Sequence, residues 1–217
     1  ENEPNSQNVI FGNGSRYEVA KFANELGSKV LLVTDQGLMS AGHPQEIKHL
    51  LEKTGLIVTL FNGSIENPTE SSIEACVQVA IKSNIDLIIG LGGGSSMDTA
   101  KGCNFILTNG GRMSDYWGVG KAKSEMLPFI AIPTTAGTGS ECQSFALISQ
   151  DGTNKKMACG DKKALPSVTI LDPELTLSQP FSVTACTGID AMSHALESSV
   201  TTVRNNFSKR HSRLAFK

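Results

Sequence analysis

The sequence predicts an α/β fold: a Rossmann-like, mainly parallel sheet with helices on both faces and a small antiparallel addition, followed by the start of an all-α domain. Short apolar runs alternate with amphipathic stretches through most of the chain, which is typical of repeated βα units. Beyond Asp172-Pro173 the strand signals stop. The 217 residues exceed the usual ~150-residue domain, so we expect one domain over residues 1–177 and an incomplete helical one over 178–217.

The first helix begins at Ser15, which with Glu18 fits a capping box, and it should stop at a left-handed Gly27. Apolar periodicity then predicts strands at 29–34, 56–61, 85–90 and 127–132 and helices at 45–54, 69–83 and 97–107. Short strands at 145–149, 156–159 and 168–171 have no helix between them. We interpret these as the antiparallel addition at the edge of the sheet. A long helix is predicted over 183–203, with Ile189, Met192, Ala195 and Leu196 on its apolar face.

Composition excludes several classes of protein. Hydrophobic residues make up 39% of the chain and charged residues 18%, unlike disordered proteins. A net charge of −2 offers no electrostatic footprint for nucleic acid or an anionic membrane. There is no apolar run of membrane-spanning length and no signal-peptide pattern in the first residues, and the five cysteines are widely spaced. We therefore expect a cytoplasmic protein with reduced thiols.

The strongest local motif is the glycine turn Gly92-Gly93-Gly94-Ser95, which lies between a buried strand and a helix. Glycines there leave backbone N–H groups unshielded beside the positive end of the helix dipole, an arrangement that cradles phosphate. The spacing matches neither GxGxxG nor the P-loop. A turn that only packs the helix on the sheet is the alternative reading.

A second loop of small and hydroxylated residues, 133–141, also follows a strand, where open α/β sheets bind ligands. By itself this segment could equally be an ordinary loop. Asp35 ends its own strand; its carboxylate could accept hydrogen bonds from ribose hydroxyls and repel a 2′-phosphate, or it could cap the next helix.

Asp190 and His194 are spaced i and i+4, so a helix would present a carboxylate and an imidazole one turn apart. Mixed oxygen and nitrogen donors suit Fe²⁺ or Zn²⁺, although two ligands do not close a site and such pairs are often surface contacts. His211 lies in a basic segment that we interpret as solvated surface.

Together these motifs resemble the iron-containing (group III) alcohol dehydrogenases. The resemblance runs over nearly the whole chain and rests on four ordered motifs: Gly92-Gly93-Gly94-Ser95 with Asp98, the PTTAGTGSE run at 133–141, the DPELT run at 172–176 and the TGIDAMSHALE run at 187–197.

The resemblance implies a set of site residues. The glycine loop, Ser95 and Asp98 would hold the NAD(P) diphosphate, and Thr134, Thr135, Thr138 and Ser140 would line the nicotinamide side. Asp35 would favour NAD over NADP, Asn67 and Lys156 fall at further cofactor positions, and Asp190 and His194 match the first two ligands of the catalytic metal.

The implied activity is an NAD-dependent, metal-dependent alcohol dehydrogenase or aldehyde reductase that acts on a small alcohol or aldehyde, with Fe²⁺ as the metal and Zn²⁺ as the alternative. Family members often form homodimers. The family's other two metal ligands are histidines in a C-terminal half without a counterpart in this sequence, so we expect half of the metal site here. The alternatives are a glycerol-dehydrogenase or dehydroquinate-synthase-like enzyme of the same superfamily, and a non-catalytic NAD-binding fragment.

Overall fold

The computed structural model describes residues 7–153, 155–203 and 205–216. The strands are β1 (Asn8–Phe11), β2 (Lys29–Asp35), β3 (Ile57–Ser64), β4 (Leu87–Gly92), β5 (Gly118–Val119), β6 (Phe129–Pro133), β7 (Phe145–Ser149), β8 (Lys156–Gly160) and β9 (Val168–Leu171). The α-helices are α1 (Val19–Leu26), α2 (Gln36–Ala41), α3 (His43–Glu52), α4 (Glu70–Ser83), α5 (Gly94–Asn109), α6 (Phe181–Val200) and α7 (Asn206–Ala215).

The main sheet is parallel throughout and has the strand order β1-β9-β6-β4-β2-β3. Its central strands alternate between two cores, because successive side chains of a strand point to opposite faces. Leu31 and Ile88 belong to the core that includes residues of α4 and α5, whereas Leu32 and Ile89 belong to the core that includes residues of α1 and α3. The predicted fold class is confirmed.

The placement of one predicted strand was wrong. Residues 168–171 do not join the antiparallel addition; β9 lies inside the main sheet, parallel to both β1 and β6. The sequence analysis did not predict β1, which is short and mostly exposed at the sheet edge. The antiparallel pair β7–β8 is present, but it forms a separate small sheet with β5, which pairs parallel to β8. The strands β7, β8 and β9 are all short, so their length did not distinguish the antiparallel pair from the parallel β9.

The start and end of the first helix also differ from the prediction. Residues 15–18 form a 3₁₀ turn before α1, and no side-chain cap is made there, so the capping box was wrong. Gly27 has an extended φ of −174° rather than a left-handed one. A Cβ on Gly27 would lie 2.5 Å from Asp86 Oδ1, so this glycine permits a close approach between two segments.

The final helices expose much of their apolar surface. The predicted long helix is α6, and Ala195 is its buried residue. Ile189, Met192 and Leu196, predicted on its apolar face, are 65%, 54% and 55% exposed. Among the described residues, no helix combines the length and apolarity needed to cross a membrane. The division of the chain near residue 177 stays a prediction.

Candidate cofactor and metal site

The glycine turn forms as predicted, between β4, which ends at Gly92, and α5, which begins at Gly94. The helix therefore starts three residues earlier than the periodicity indicated. Gly92 has φ of +146°, and a Cβ there would lie 2.5 Å from Ser96 Oγ. This position requires glycine both for its backbone conformation and for space. Ser95, which was also assigned to the cradle, is half-buried in the first turn of α5.

In the structure the second loop covers residues 134–142, because Pro133 still belongs to β6, and it packs directly on the glycine turn. The backbone N–H of Thr134 donates to the carbonyl of Gly92 at 3.0 Å. A Cβ on Gly93 would approach Thr135 to 3.3 Å, and one on Gly94 would approach Thr138 to 3.2 Å. Neighbouring strands β4 and β6 bring these loops together, because the carboxyl ends of parallel strands share one edge of the sheet. The two predicted ligand loops therefore form one structural unit.

Two predicted cofactor residues are bonded to each other. Asp98 and Ser140 are both buried, and Ser140 Oγ donates to Asp98 Oδ1 at 3.0 Å. Burial raises the pKa of Asp98 to about 6, although Lys101 and the Ser140 hydrogen bond oppose the shift. The ionised form of Asp98 is therefore stabilised by Lys101 and by the Ser140 hydroxyl.

Asp35 does what the capping alternative predicted. Its Oδ1 accepts from the backbone N–H of Leu38 at 3.0 Å, at the start of α2. Its Oδ2 accepts from Ser96 Oγ at 3.4 Å and would lie 3.2 Å from a Cβ on Gly92. The cap therefore holds a half-buried carboxylate beside the glycine turn, and capping does not remove Asp35 from the candidate site.

Asn67 and Lys156 lie on adjoining segments, and the charge of Lys156 is one of the influences that oppose the raised pKa of Asp98. Both residues are exposed, and Asn67 has a positive φ of 53°. Ser149 links the two segments: its N–H donates to the Pro68 carbonyl at 2.8 Å, and it lies opposite Lys156 in the β7–β8 pair. The structure brings these two predicted residues to one region, but their roles stay a prediction.

A cavity of about 860 Å³ opens between the second loop and the last two helices. Thr135 and Thr138 line it from the loop, His194 from α6 and His211 from α7. Thr135 Oγ1 is buried without a hydrogen-bond partner among the described residues. A buried hydroxyl without a partner costs free energy, so a ligand that bonds to it would be stabilised.

Asp190 and His194 lie one turn apart on α6, as predicted, with 3.5 Å between Asp190 Oδ1 and His194 Nε2. Their side chains are 43% and 49% exposed. The described residues contain no cluster of three or more histidine, cysteine, aspartate or glutamate side chains that could hold a metal ion. His211 is exposed, as the sequence analysis predicted, but it also lines the cavity, which the sequence analysis did not predict.

Sequence reasoning missed two charged groups. Lys101 is 1% exposed, and its only sequence signal was a position one turn after Asp98 on the same helix. Arg16 donates to Asp172 Oδ2 at 2.7 Å and joins the segment after β1 to the segment after β9. That pairing could not be predicted because β1 itself was missed.

A parallel sheet with helices on both faces defines the doubly wound α/β class, in which ligands bind at the carboxyl edge of the sheet, where the two loops meet here. Residues 6–173 match the model of a family described as iron-containing alcohol dehydrogenase. The chain belongs to this family, as its four motifs indicated.

Three comparisons give the extent of the similarity. The chain is 42% identical over 197 residues to Alcohol dehydrogenase 4 of Schizosaccharomyces pombe. This match covers 90% of the chain and 47% of that protein. It is 40% identical over 192 residues to the NAD-dependent methanol dehydrogenase of Bacillus methanolicus, and this match covers 88% of the chain and 50% of that protein. A solved sulfoacetaldehyde reductase of Bifidobacterium kashiwanohense in complex with NAD⁺ superposes with a TM-score of 0.86 at 29% identity, over all of this chain and 58% of that one. The chain spans about half the length of the curated relatives it matches.

Proposed function

We propose that this chain is the cofactor-binding part of an NAD-dependent alcohol dehydrogenase or aldehyde reductase. The observation that carries the proposal is the direct packing of the glycine turn on the 134–142 loop at the carboxyl edge of the sheet. Family membership and a relative described as NAD-dependent support the choice of cofactor.

The residues present fit a dinucleotide. Gly93 and Gly94, which are half-buried and have no Cβ, lie at the start of the 16-residue helix α5, where the helix dipole favours a diphosphate. The unpartnered hydroxyl of Thr135 offers a donor or acceptor at the cavity. Asp35 places a carboxylate beside the turn, which suits ribose hydroxyls and disfavours a 2′-phosphate. The proposed cofactor is therefore NAD rather than NADP, and when bound it accepts or donates the hydride.

The described residues supply only part of a metal site. Asp190 and His194 are reasonable donors for Fe²⁺ or Zn²⁺, but two exposed ligands do not close a coordination shell. A complete site requires donors beyond those that the described residues bring together. We therefore propose Asp190 and His194 as metal ligands of the whole enzyme and derive no chemical step from them.

The decisive experiment compares two helical glycines. A Cβ at Gly94 would press on Thr138, whereas one at Gly188, on α6, meets nothing within 4 Å. We expect Gly94→Ala to weaken NADH binding about tenfold or more, because the methyl group fills space between the two loops. Gly188→Ala should leave the affinity for NADH unchanged. Fluorescence titration of the chain with NADH measures both.

Failure of the unsubstituted chain to bind NADH would overturn the proposal, as would equal affinity of the Gly94→Ala and Gly188→Ala variants. A parallel assay with short primary alcohols, NAD⁺ and Fe²⁺ separates a working enzyme from a binding domain. Binding without turnover would favour the non-catalytic NAD-binding alternative for this chain.

A further inference from the structure

The charge of this chain is distributed unevenly along the sequence. Residues 198–217, the basic segment, contain five lysine or arginine residues and neither aspartate nor glutamate. The other 197 residues contain 14 basic and all 21 acidic residues. The net charge of −2 therefore averages an acidic body and a basic segment, and it does not exclude an anionic partner for that segment. The family model ends at residue 173 and assigns the segment no role.

Half of the basic segment forms α7, which begins with a capping box. Asn205 Oδ1 accepts from the backbone N–H of Ser208 at 2.8 Å, and Ser208 Oγ accepts from the backbone N–H of Asn205 at 3.0 Å. The helix packs on α6, and Ser212 is its buried residue. Because α6 covers one side of α7, a partner that encloses a whole amphipathic helix does not fit, whereas a flat partner does.

The uncovered side combines cations with apolar side chains. A recess of about 980 Å³ between the two helices is lined by Lys209, Arg210 and Arg213, together with Leu196 of α6 and Phe216 after α7. The three cations are exposed, and none of them forms an ion pair with another residue that the structure describes. Both apolar side chains are more than half exposed. Unpaired positive charge and apolar surface therefore meet in one place.

Two further apolar side chains of α7, Phe207 and Leu214, are also more than half exposed. They are seven positions apart, so they lie on the same side of the helix, two turns from each other. Basic residues beside phenylalanine and leucine are typical of helices that lie in the plane of a bilayer surface, with cations at the headgroups and apolar side chains at the acyl boundary. Nucleic acid would use the charge but leave Phe207 and Leu214 in water.

We propose that α7 and the adjoining side of α6 form a docking surface for an anionic phospholipid bilayer. The cations of the recess bind the lipid phosphates, and the four exposed apolar side chains enter the acyl boundary. The acidic body is repelled by the same bilayer, which orients the protein with this surface toward the lipid. Binding is peripheral and reversible, and it goes beyond the proposed function because it does not depend on NAD.

The first test is flotation of the full chain with lipid vesicles. We expect binding to vesicles of phosphatidylcholine and phosphatidylglycerol in equal parts, weakening as salt is added, and no binding to phosphatidylcholine alone. Lys209→Gln, Arg210→Gln and Arg213→Gln combined should weaken binding about a hundredfold, because each basic side chain at an anionic surface contributes about fivefold. Failure of the unsubstituted chain to bind the anionic vesicles would overturn the proposal.

A matched control removes the same charge elsewhere. Lys53→Gln, Lys82→Gln and Lys123→Gln combined change exposed lysines after α3, in α4 and before β6. This variant should bind the anionic vesicles within about twofold of the unsubstituted chain, because charges beyond a Debye length are screened. Equal weakening by both triple variants would mean that net charge alone governs binding, and the proposal would fail. Circular dichroism verifies that each variant is folded.

The apolar contribution separates a bilayer from other anionic partners. Phe207→Ala combined with Leu214→Ala should weaken vesicle binding about tenfold, because less apolar surface enters the acyl boundary. Vesicle binding unaffected by this change would overturn the proposal. So would a chain that ignores vesicles and instead binds duplex DNA, or one that forms a dimer which the charge variant dissociates. NADH titration tests the proposed function separately, so the two failures are distinguishable.

Discussion

The two proposed ligand regions contain similar side chains in very different surroundings. At the glycine turn, Asp98 and Lys101 are 9% and 1% exposed, and their polar atoms are bonded. On α6, Asp190 and His194 are about half exposed. Burial with bonded partners fixes a side chain before any ligand arrives, whereas exposed side chains remain free to reorient. The proposed cofactor region is thus preorganised by the α/β part of the chain, and the proposed metal region is not.

The apolar surfaces of the two regions differ in the same way. Helices α4 and α5 bury most of their apolar residues, although Ile81 of α4 is 56% exposed, whereas α6 leaves Met192 and Leu196 more than half exposed. Exposed apolar side chains mark an interaction surface or favour self-association where they form one contiguous patch. The α/β part therefore has a buried apolar core on both faces of its sheet, whereas α6 buries only Ala195.

The largest effect is expected where the two regions join. Asp172, which immediately precedes the helical part, accepts from Arg16 and from the backbone N–H groups of Gly14 and Glu174. Arg16→Met should lower the free energy of unfolding by about 2 kcal/mol, because a buried carboxylate loses its cation but keeps its backbone donors. Denaturant unfolding measures this, with Lys48→Met as the exposed control. An unchanged stability would show that the junction does not depend on this ion pair.

The same variant should change the acid sensitivity of the protein. Burial opposes ionisation of Asp172, but the hydrogen bonds from Arg16, Gly14 and Glu174 outweigh it and lower its pKa. The stability from this group is therefore fully present at neutral pH and is lost as the pH falls below the ordinary carboxyl range. Without Arg16 the pKa of Asp172 in the folded protein rises toward its ordinary value, so the loss of stability on acidification should be smaller and should be complete at a higher pH.

A smaller effect should distinguish charge from capping at Asp35. Asp35→Asn keeps a side-chain cap for α2 but removes the negative charge beside the glycine turn. We expect the preference for NADH over NADPH to fall about tenfold, because repulsion of the 2′-phosphate is removed. Parallel titrations with both cofactors measure the ratio. Asp115→Asn, which changes another capping carboxylate, should leave the ratio unaltered.

The smallest effect is expected on α6 itself. Asp190→Asn and His194→Gln should leave NADH affinity within about twofold and stability within about 0.5 kcal/mol, because exposed ion pairs contribute little. Titration and denaturant unfolding measure the two quantities. A large loss of either would mean that the helix contributes to the cofactor region, and the contrast drawn between the regions would be wrong.

Much of this molecule follows from local sequence. The glycine turn, the buried strand before it and the Asp190–His194 spacing each depend on residues close together in the chain, whose period and backbone conformation are fixed locally. For the same reason the α/β class and the succession of central strands and helices along the chain could be predicted from apolar periodicity, and the family from the motifs.

Only the tertiary structure revealed the contacts between residues that are far apart in the sequence. The parallel position of β9 requires β1 beside it, and the Arg16–Asp172 pair follows from that placement. The bonds from Lys101 to Ser140 join positions 39 residues apart, which no local periodicity encodes. The sequence alone indicated which residues could bind a nucleotide; packing of the sheet decided which of those side chains are buried and hydrogen-bonded within the protein and which remain exposed.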